Sequence, residues 1–218
     1  LKTFGLLLLS GTAFVACDDY LDRQPDEQLT PDQIFLKAST TEQYLTNVYA
    51  YQPNYSDPSG QTLPWAPCAD ESSIAYTGRS YTQINYDTWD PSINLQRSYT
   101  YNNIYKGIRE ASYFMQHVYE CPEIGDPDKG YMYNEARFLR AWFYYNLLRQ
   151  YGPCVLLGDE VLPGDLDRDD VKMNLPRSSY DECVDYIVGE LDDIIDNERL
   201  PLHFTSQADK DYGRATLA

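Results

Sequence analysis

Cys17 is the residue whose setting in this sequence points most directly to a chemical modification. It follows Phe14-Val15-Ala16, and before these come Lys2 and a compact apolar stretch, Phe4–Leu9. This stretch is too short to cross a bilayer and has the shape of a signal peptide. A small residue directly before a cysteine is what lipoprotein signal peptidase accepts, so Cys17 would carry a thioether-linked diacylglycerol and an acylated amine. The alternative is an ordinary secretory signal in which Cys17 has no role.

The lipidation hypothesis divides the chain into three parts. Residues 1–16 form the signal peptide, residues 17–33 form the lipidated N-terminus and an acidic, proline-containing tether, and residues 34–218 form the folded part. This remainder has the size of one ordinary domain.

The other four cysteines lie far apart and include no CxxC pair; they are Cys68, Cys121, Cys154 and Cys183. Only His117 and His203 could assist them, so we expect no metal site. In an oxidising compartment the four thiols could form two disulfides in any of three connectivities. The spacing favours the alternative, which is isolated and mostly buried thiols.

Other candidate sites are weak. Asp165, Asp167 and Asp169 resemble the start of a calcium loop, but Asp170 replaces the glycine and Pro176 replaces the final glutamate. The sequence has no nucleophile elbow, no HExxH and no phosphate-binding glycine loop. We therefore predict no catalytic residues and no cofactor, although a carboxylate pair for glycoside hydrolysis depends on spatial separation and leaves no sequence motif.

The composition excludes some partners and favours others. The chain has 34 acidic and 17 basic residues, a net charge of −17, which repels phosphate backbones and argues against nucleic-acid binding. Aromatic residues make up 14% of the chain, including 21 tyrosines, so it is not a disordered acidic protein. Tyrosine can both fill a core and line a wet binding surface.

The segment Glu135–Pro153 predicts a helix that is apolar nearly all round and therefore lies between other helices. One face is marked by apolar residues at helical spacing, namely Met132, Ala136, Leu139, Phe143 and Leu147. Gly152 and Pro153 end it. We interpret its charged residues as ion pairs and caps between helices; they are Glu135, Arg137, Arg140 and Arg149.

Further patterns predict a helical array with long loops. A cap at Ser39 or Thr40 opens one helix, a second runs through Ile104–Val118, and a capping box of Ser179 and Glu182 opens a third. The run Cys154–Leu157 predicts a strand or an extended segment, and Gly213–Thr216 predicts the start of a helix, so we expect that the chain is truncated. Small residues suit close crossings of tetratricopeptide-like helix pairs; they are Gly107, Ala111, Ala136 and Ala141.

Five ordered blocks resemble the N-terminal part of the SusD/RagB family, surface glycan-binding lipoproteins of Bacteroidetes. They are CDDYLDRQPDEQLTPDQIF at Cys17–Phe35, YNNIYKGIREASYF at Tyr101–Phe114, EARFLRAWFYYNLLRQYGP at Glu135–Pro153, LPRSSYDECVDYIVGELDDI at Leu175–Ile194, and GRAT at Gly213–Thr216. The resemblance implies a mainly all-α fold of irregular tetratricopeptide-like helix pairs, followed by a loop-rich subdomain that is mostly absent here. It also implies a lipid anchor at the outer membrane, surface exposure, and a SusC-like TonB-dependent transporter as partner.

The resemblance also suggests where a ligand would bind. Between residues 52 and 93 no helical period persists, and a loop this long is usually functional or disordered. Ala69-Asp70-Glu71 is similar to the family's Thr-Asp-Glu element, which by position makes Tyr76 the stacking aromatic and Arg79 its polar partner. Trp65, Tyr81 and Trp89 are supporting candidates. Sugars need such flat aromatic platforms with a few polar groups, although packing of these aromatics into the core is the alternative for each.

The function that these observations favour is capture of oligosaccharides at the cell surface and their delivery to a SusC-like transporter. Arginine in place of an amide at position 79 changes the hydrogen-bonding pattern, so the glycan need not be starch and an acidic sugar becomes possible. Two alternatives remain open. One is an uptake lid for peptides or another nutrient, and the other is a tetratricopeptide-like scaffold that binds no small ligand.

Overall fold

The computed structural model describes residues 31–52, 66, 69–72, 83, 86–88, 90, 101–162, 174–204 and 206–217. Within these ranges the elements are helical; in chain order they are α1 (Pro31–Ile34), α2 (Ala38–Tyr49), α3 (Tyr101–His117) with a 3₁₀ turn (Val118–Glu120), α4 (Asp126–Tyr151), α5 (Tyr180–Asp196) and α6 (Gln207–Tyr212). No helix in this part of the chain is long and apolar enough to cross a membrane.

The centre of the fold is the antiparallel hairpin of α3 and α4, against which α5 and α2 pack. Its core consists of side chains that are almost completely buried and recur at helical spacing; they include Ile104, Ile108, Phe114, Leu139, Phe143 and Leu147. Such burial of apolar surface is the main stabilising term in a helical array. The predicted face of α3 and the enclosed position of α4 are both confirmed.

Gly107 lies where α3 packs tightly against α4. A Cβ atom at this position would lie 2.9 Å from Phe143 Cε2 and 2.9 Å from Tyr51 Cβ, closer than real side chains allow. The predicted use of small residues at crossings is therefore confirmed here, and Ala111 and Ala136 on the same hairpin are fully buried.

Helix α4 begins earlier than predicted. It starts at Asp126, before Met132, the first residue of the predicted apolar face, because Gly125 adopts an extended backbone at the cap position and Pro127 suits the first turn. Asp126 and Asp128 add negative charge where the helix dipole favours it. The predicted end is confirmed, since Gly152 has a φ of 72°.

The predicted cap of α2 at Ser39 or Thr40 is wrong. The helix begins at Ala38 with Lys37 as cap residue, and the Lys37 side chain makes no capping hydrogen bond. Thr40 instead donates to Ile34 O, at 2.5 Å, and Thr41 donates to Lys37 O, at 2.9 Å. The two hydroxyls thus join α1 to α2 rather than starting a helix.

The capping box of α5 is confirmed, while the run Cys154–Leu157 after α4 belongs to no strand or helix. The Ser179 side chain accepts from Glu182 N and the Glu182 side chain accepts from Ser179 N. In the run Cys154–Leu157, the Tyr105 hydroxyl accepts from Val155 N at 2.9 Å and donates to Val155 O at 3.0 Å. Tyrosine hydroxyls therefore satisfy backbone groups that a neighbouring strand would otherwise pair.

The prediction that Gly213–Thr216 begins a helix is wrong. Gly213 has a left-handed backbone, with φ 62° and ψ 41°, and it ends α6. The Gly213 N–H donates to Lys210 O at 3.1 Å, and residues 214–217 continue without helical structure. Glycine was misread because it ends helices more often than it begins them.

Candidate functional site

The five predicted ligand-binding residues lie outside the described residues; they are Trp65, Tyr76, Arg79, Tyr81 and Trp89. The same holds for Cys17, Cys68 and the acidic run at 165–169. Of the neighbouring positions that are described, Asp70 and Glu71 are exposed and Tyr86 is 64% exposed. Asp87 has a φ of 54°, a conformation that aspartate tolerates in turns. Their placement as ligand contacts therefore stays a prediction.

Besides a groove of about 400 Å³ lined by α2, α6 and Arg214, the described residues form a groove of about 390 Å³ that takes in four segments of the chain. It lies between the start of α2, the turn before α4, the first turns of α4 and the segment 201–216. Carboxylates dominate its lining, and Tyr131 and Phe204 add partly exposed rings. Glu123 is not a free ligand for a substrate, because its Oε2 accepts from Ala38 N at 2.8 Å and caps α2.

We define the Glu135 cluster as Glu135, Arg214, Tyr49 and Asp209. All of these except Tyr49 line this groove. Arg214 binds Glu135 through two nitrogens, with Nη2 2.9 Å from Oε1 and Nε 3.1 Å from Oε2. The Tyr49 hydroxyl donates to Glu135 Oε2 at 2.9 Å and accepts from Ala215 N at 2.9 Å. The cluster thereby joins α2, α4 and the chain after α6.

Burial dominates the electrostatics of Glu135, which is only 3% exposed. Loss of water raises the pKa of its carboxyl above the ordinary value, although Arg214 and the Tyr49 hydroxyl act in the opposite direction. Burial and the neighbouring Glu135 charge also raise the pKa of Tyr49. Every oxygen of Glu135 is engaged, so this carboxylate is structural rather than a general base for a bound substrate.

A second group of charges, the Arg140 cluster, lies on the other face of α4. We define it as Arg137, Arg140, Glu190, Asp193 and Asp159. Arg137 is bidentate to Glu190, with Nε 2.9 Å and Nη2 3.0 Å from its oxygens, and it also binds Asp193. Arg140 reaches Glu190 at 3.0 Å and Asp159 at 2.6 Å.

Arg140 is only 2% exposed, and its Nη1 also donates to two neutral acceptors, Ser112 Oγ at 3.2 Å and Gly158 O at 3.0 Å, while its buried Nε has no hydrogen-bond partner among the described residues. Burial alone would raise the pKa of Glu190, but the two arginines outweigh it and hold that pKa below its ordinary value. The prediction that Glu135, Arg137 and Arg140 form ion pairs between segments is confirmed.

Arg149 differs from the other arginines of α4. It binds Asn146 at 3.1 Å within its own helix, and its guanidinium carbon lies 5.9 Å from the centre of the Tyr145 ring. Among these contacts none links Arg149 to another helix, and the contact to Tyr145 is a cation–π interaction.

The tyrosines of the core act mainly as structural donors and acceptors. Tyr144 accepts from Leu157 N at 3.0 Å, and burial raises its pKa to about 12. Tyr44 donates to Glu110 and stacks near Phe35 and Phe114. The sequence-based view of tyrosine as a core residue is confirmed at these positions.

Two of the cysteines meet in the core. Cys154 Sγ and Cys183 Sγ are 3.8 Å apart, and both residues are completely buried, as is Cys121. Within the described residues, no group of three or more cysteines, histidines and carboxylates could hold a metal ion.

Sequence reasoning missed the groove and three members of the Glu135 cluster, namely Tyr49, Asp209 and Arg214. A signal for one of them was present. Arg214 stands in GRAT and Glu135 in EARFLRAW, so both partners belong to blocks that carried the family resemblance. Their pairing across 79 positions could have been proposed as the reason why both blocks resemble the family.

The comparisons with known proteins agree on one family. Residues 19–218 match the SusD-like family described as starch-binding and associating with the outer membrane. No curated protein matches the chain significantly.

Solved structures show the same fold. A SusD-like protein from Bacteroides fragilis is 25% identical with a TM-score of 0.61, covering 85% of this chain and 33% of that protein. A SusD superfamily protein from Bacteroides thetaiotaomicron is 19% identical with a TM-score of 0.61, and the match covers 80% of this chain and 38% of that protein. Surface glycan-binding protein A from Bacteroides uniformis is 17% identical with a TM-score of 0.59, and the match covers 82% of this chain and 39% of that protein. The all-α, tetratricopeptide-like architecture is thus confirmed, and the chain spans little more than a third of the length of these relatives.

Proposed function

The chain belongs to the SusD-like family of starch-binding proteins that associate with the outer membrane, and from this premise we propose that it is a non-catalytic, glycan-binding lipoprotein of a nutrient-uptake system. The single observation that carries the proposal is the family match over residues 19–218. The described helices are compatible with it, because Glu135, Arg137 and Arg140 of α4 are engaged in ion pairs and act as structural residues.

The proposed mechanism is capture followed by delivery. The folded part, residues 34–218, is tethered through residues 17–33 to a lipidated Cys17, after removal of the signal peptide, residues 1–16. A lipid anchor keeps the protein at the membrane surface, where it raises the local concentration of oligosaccharide. A SusC-like TonB-dependent transporter is the proposed partner, and this protein covers its mouth as a lid.

The proposed ligand-binding segment is residues 52–93. Tyr76 supplies a stacking surface for a sugar ring, and Arg79 donates hydrogen bonds to its hydroxyls or pairs with an acidic sugar. Trp65, Tyr81 and Trp89 extend the aromatic surface. Of the described positions within these bounds, Asp70, Glu71 and Tyr86 are exposed.

The test is affinity gel electrophoresis of the full-length protein, with Cys17 replaced by alanine, against neutral and acidic polysaccharides. We expect retardation by one glycan class and its loss in Tyr76→Ala, because removal of the ring removes the stacking surface. Tyr180→Ala is the matched control, since it removes a tyrosine that is 57% exposed at the start of α5.

Each outcome has a distinct meaning. Retardation that survives Tyr76→Ala would keep glycan binding and reject the proposed segment. Absence of retardation by every glycan would reject the function and favour peptide uptake or a scaffold. Release of new reducing ends would contradict the non-catalytic assignment.

A further inference from the structure

Cys154 and Cys183 are the one pair of thiols that the described structure brings into contact. Their Sγ atoms are 3.8 Å apart, although 29 positions separate them in the chain. Both side chains are completely buried against Tyr144 and the rest of the core. Of the three connectivities open to four cysteines, this contact selects the one that joins Cys154 to Cys183.

The backbone on both sides of the pair is already fixed by hydrogen bonds. Ser178 N donates to Cys154 O at 2.9 Å, and Arg177 Nη1 donates to Pro153 O at 3.1 Å. Cys183 lies in the first turns of α5, where its N–H donates to Ser179 O at 3.1 Å. A disulfide holds its sulfurs about 2.05 Å apart, so its formation brings the two Sγ atoms closer together than they are in this structure.

We infer that Cys154 and Cys183 form a disulfide that fastens the start of α5 to the run that follows α4. The inference rests on the proposed function in one respect, because an exported lipoprotein folds in an oxidising compartment. Cys121 is excluded as a partner, since it lies at the far end of α3, beyond the 3₁₀ turn, and is buried separately.

The oxidant is a disulfide-bearing thiol oxidoreductase of that compartment. One cysteine thiolate attacks the oxidant's disulfide and forms a mixed disulfide, and the second thiolate then displaces the oxidant's sulfur. The two electrons pass to the oxidant, whose two sulfurs leave as a dithiol, and the two protons released by the cysteines balance them.

The folded protein itself protects the pair from late oxidation. Neither thiol is accessible, and burial with the adjacent Cys183 raises the pKa of Cys154 to about 12, so thiolate is scarce at neutral pH. We therefore expect the bond to form while α5 is undocked, either during folding or in local openings of the native state.

The experiment uses full-length protein isolated from the exporting host, alkylated in denaturant without reductant and digested for peptide mass mapping. The expected result is a linked pair of peptides carrying residues 154 and 183, 2 Da lighter than the sum of the two reduced peptides. Alkylation of both residues in the unreduced protein, or linkage of either one to Cys68 or Cys121, would overturn the inference.

A variant series makes the same point without dependence on one sample. Cys154→Ala should leave Cys183 alkylated, whereas the matched Cys121→Ala should leave the linked pair intact. If Cys154→Ala fails to fold, reduced wild-type protein is refolded in a glutathione buffer and then alkylated. The linked pair of peptides should appear in that sample, and its absence would overturn the inference.

Glycan retardation of the same oxidised sample separates the two proposals. Retardation without the linked peptides would reject only the disulfide. Linked peptides without retardation would reject only the proposed function.

Discussion

The two charge clusters of α4 are built from the same residue types, but one buries a cation and the other buries an anion. In the Arg140 cluster the most deeply buried group is a cation, and its partner Asp159 is 78% exposed. In the Glu135 cluster the buried group is an anion, and the arginine that binds it keeps about a quarter of its side chain exposed. The pKa of Glu190 is lowered while that of Glu135 is raised, although each carboxylate contacts an arginine.

The depth of burial and the number of charged donors together explain the difference, because the Glu135 side chain is 4% exposed and the Glu190 side chain is 16% exposed. Glu190 receives three guanidinium bonds from two arginines, which outweigh its burial. Glu135 receives its charged bonds from Arg214 alone, and the Tyr49 hydroxyl is neutral. An ion pair therefore does not set the direction of a pKa shift by itself; its strength relative to desolvation does.

The largest expected effect is in the Arg140 cluster. Glu190→Gln should lower the free energy of unfolding by about 3 kcal/mol, because Arg140 cannot lose its proton and would remain buried with one exposed carboxylate. Hydrogen exchange of the α4 and α5 amides in the full-length protein measures this loss. Asp192→Asn removes an exposed charge from the same helix and should change it by less than about 0.5 kcal/mol. Equal losses in the two variants would show that Arg140 does not depend on Glu190.

Arg214→Met should lower the free energy of unfolding by less, about 2 kcal/mol at neutral pH. The Glu135 carboxyl that remains can bind a proton, which avoids the cost of a buried, unpaired charge. The loss should appear in the exchange of α2 and α6 amides as well as α4, since the cluster joins these segments. Lys210→Met is the control, because it removes an exposed cation from α6. A loss that exceeds that of Glu190→Gln would refute the asymmetry between buried cation and buried anion.

The helices could be predicted from the sequence because their signals are local. The apolar face of α3, the enclosed α4 and the capping box of Ser179 each depend on residues within a few turns. The start of α2 could not be predicted in this way, because its cap residue is Lys37, whose side chain does not cap. The hydroxyls of Thr40 and Thr41, which looked like caps, donate instead to the carbonyls of Ile34 and Lys37.

The groove could not be predicted in the same way. Its lining includes Glu135 and Arg214, which meet only after three helices have packed. The thiol contact between Cys154 and Cys183 also needs α5 to dock before it exists. The ligand-binding residues came instead from the family resemblance, and they lie outside the described part of the chain.

Tyr49→Phe should lower the free energy of unfolding by a smaller amount, about 1 kcal/mol, because it removes one neutral hydroxyl that both donates to Glu135 and accepts from Ala215 N. Ser112→Ala is the corresponding variant in the Arg140 cluster and should lower the free energy of unfolding by no more than Tyr49→Phe does. Arg140 retains its hydrogen bonds to Gly158 O and Asp159. Urea denaturation of both variants gives the comparison, with the exposed Tyr119→Phe as control. A much larger loss for Ser112→Ala would mean that the charged bonds of Arg140 are weaker than their geometry indicates.

The finest test concerns the sign of the pH dependence rather than its size. Because the folded pKa of Glu190 is lowered, the stability of wild type relative to Glu190→Gln should be fully present above the unfolded pKa of about 4.3 and disappear as the pH falls through the folded value. Because the folded pKa of Glu135 is raised, the stability of wild type relative to Glu135→Gln should be greatest below about 4.3 and decline as the pH rises through the folded value. Urea midpoints of the three proteins from pH 3 to pH 7 should therefore give differences of opposite slope on opposite sides of that pH. Parallel slopes would show that Arg214 outweighs the burial of Glu135, and the two clusters would then differ in position along α4 but not in physical character.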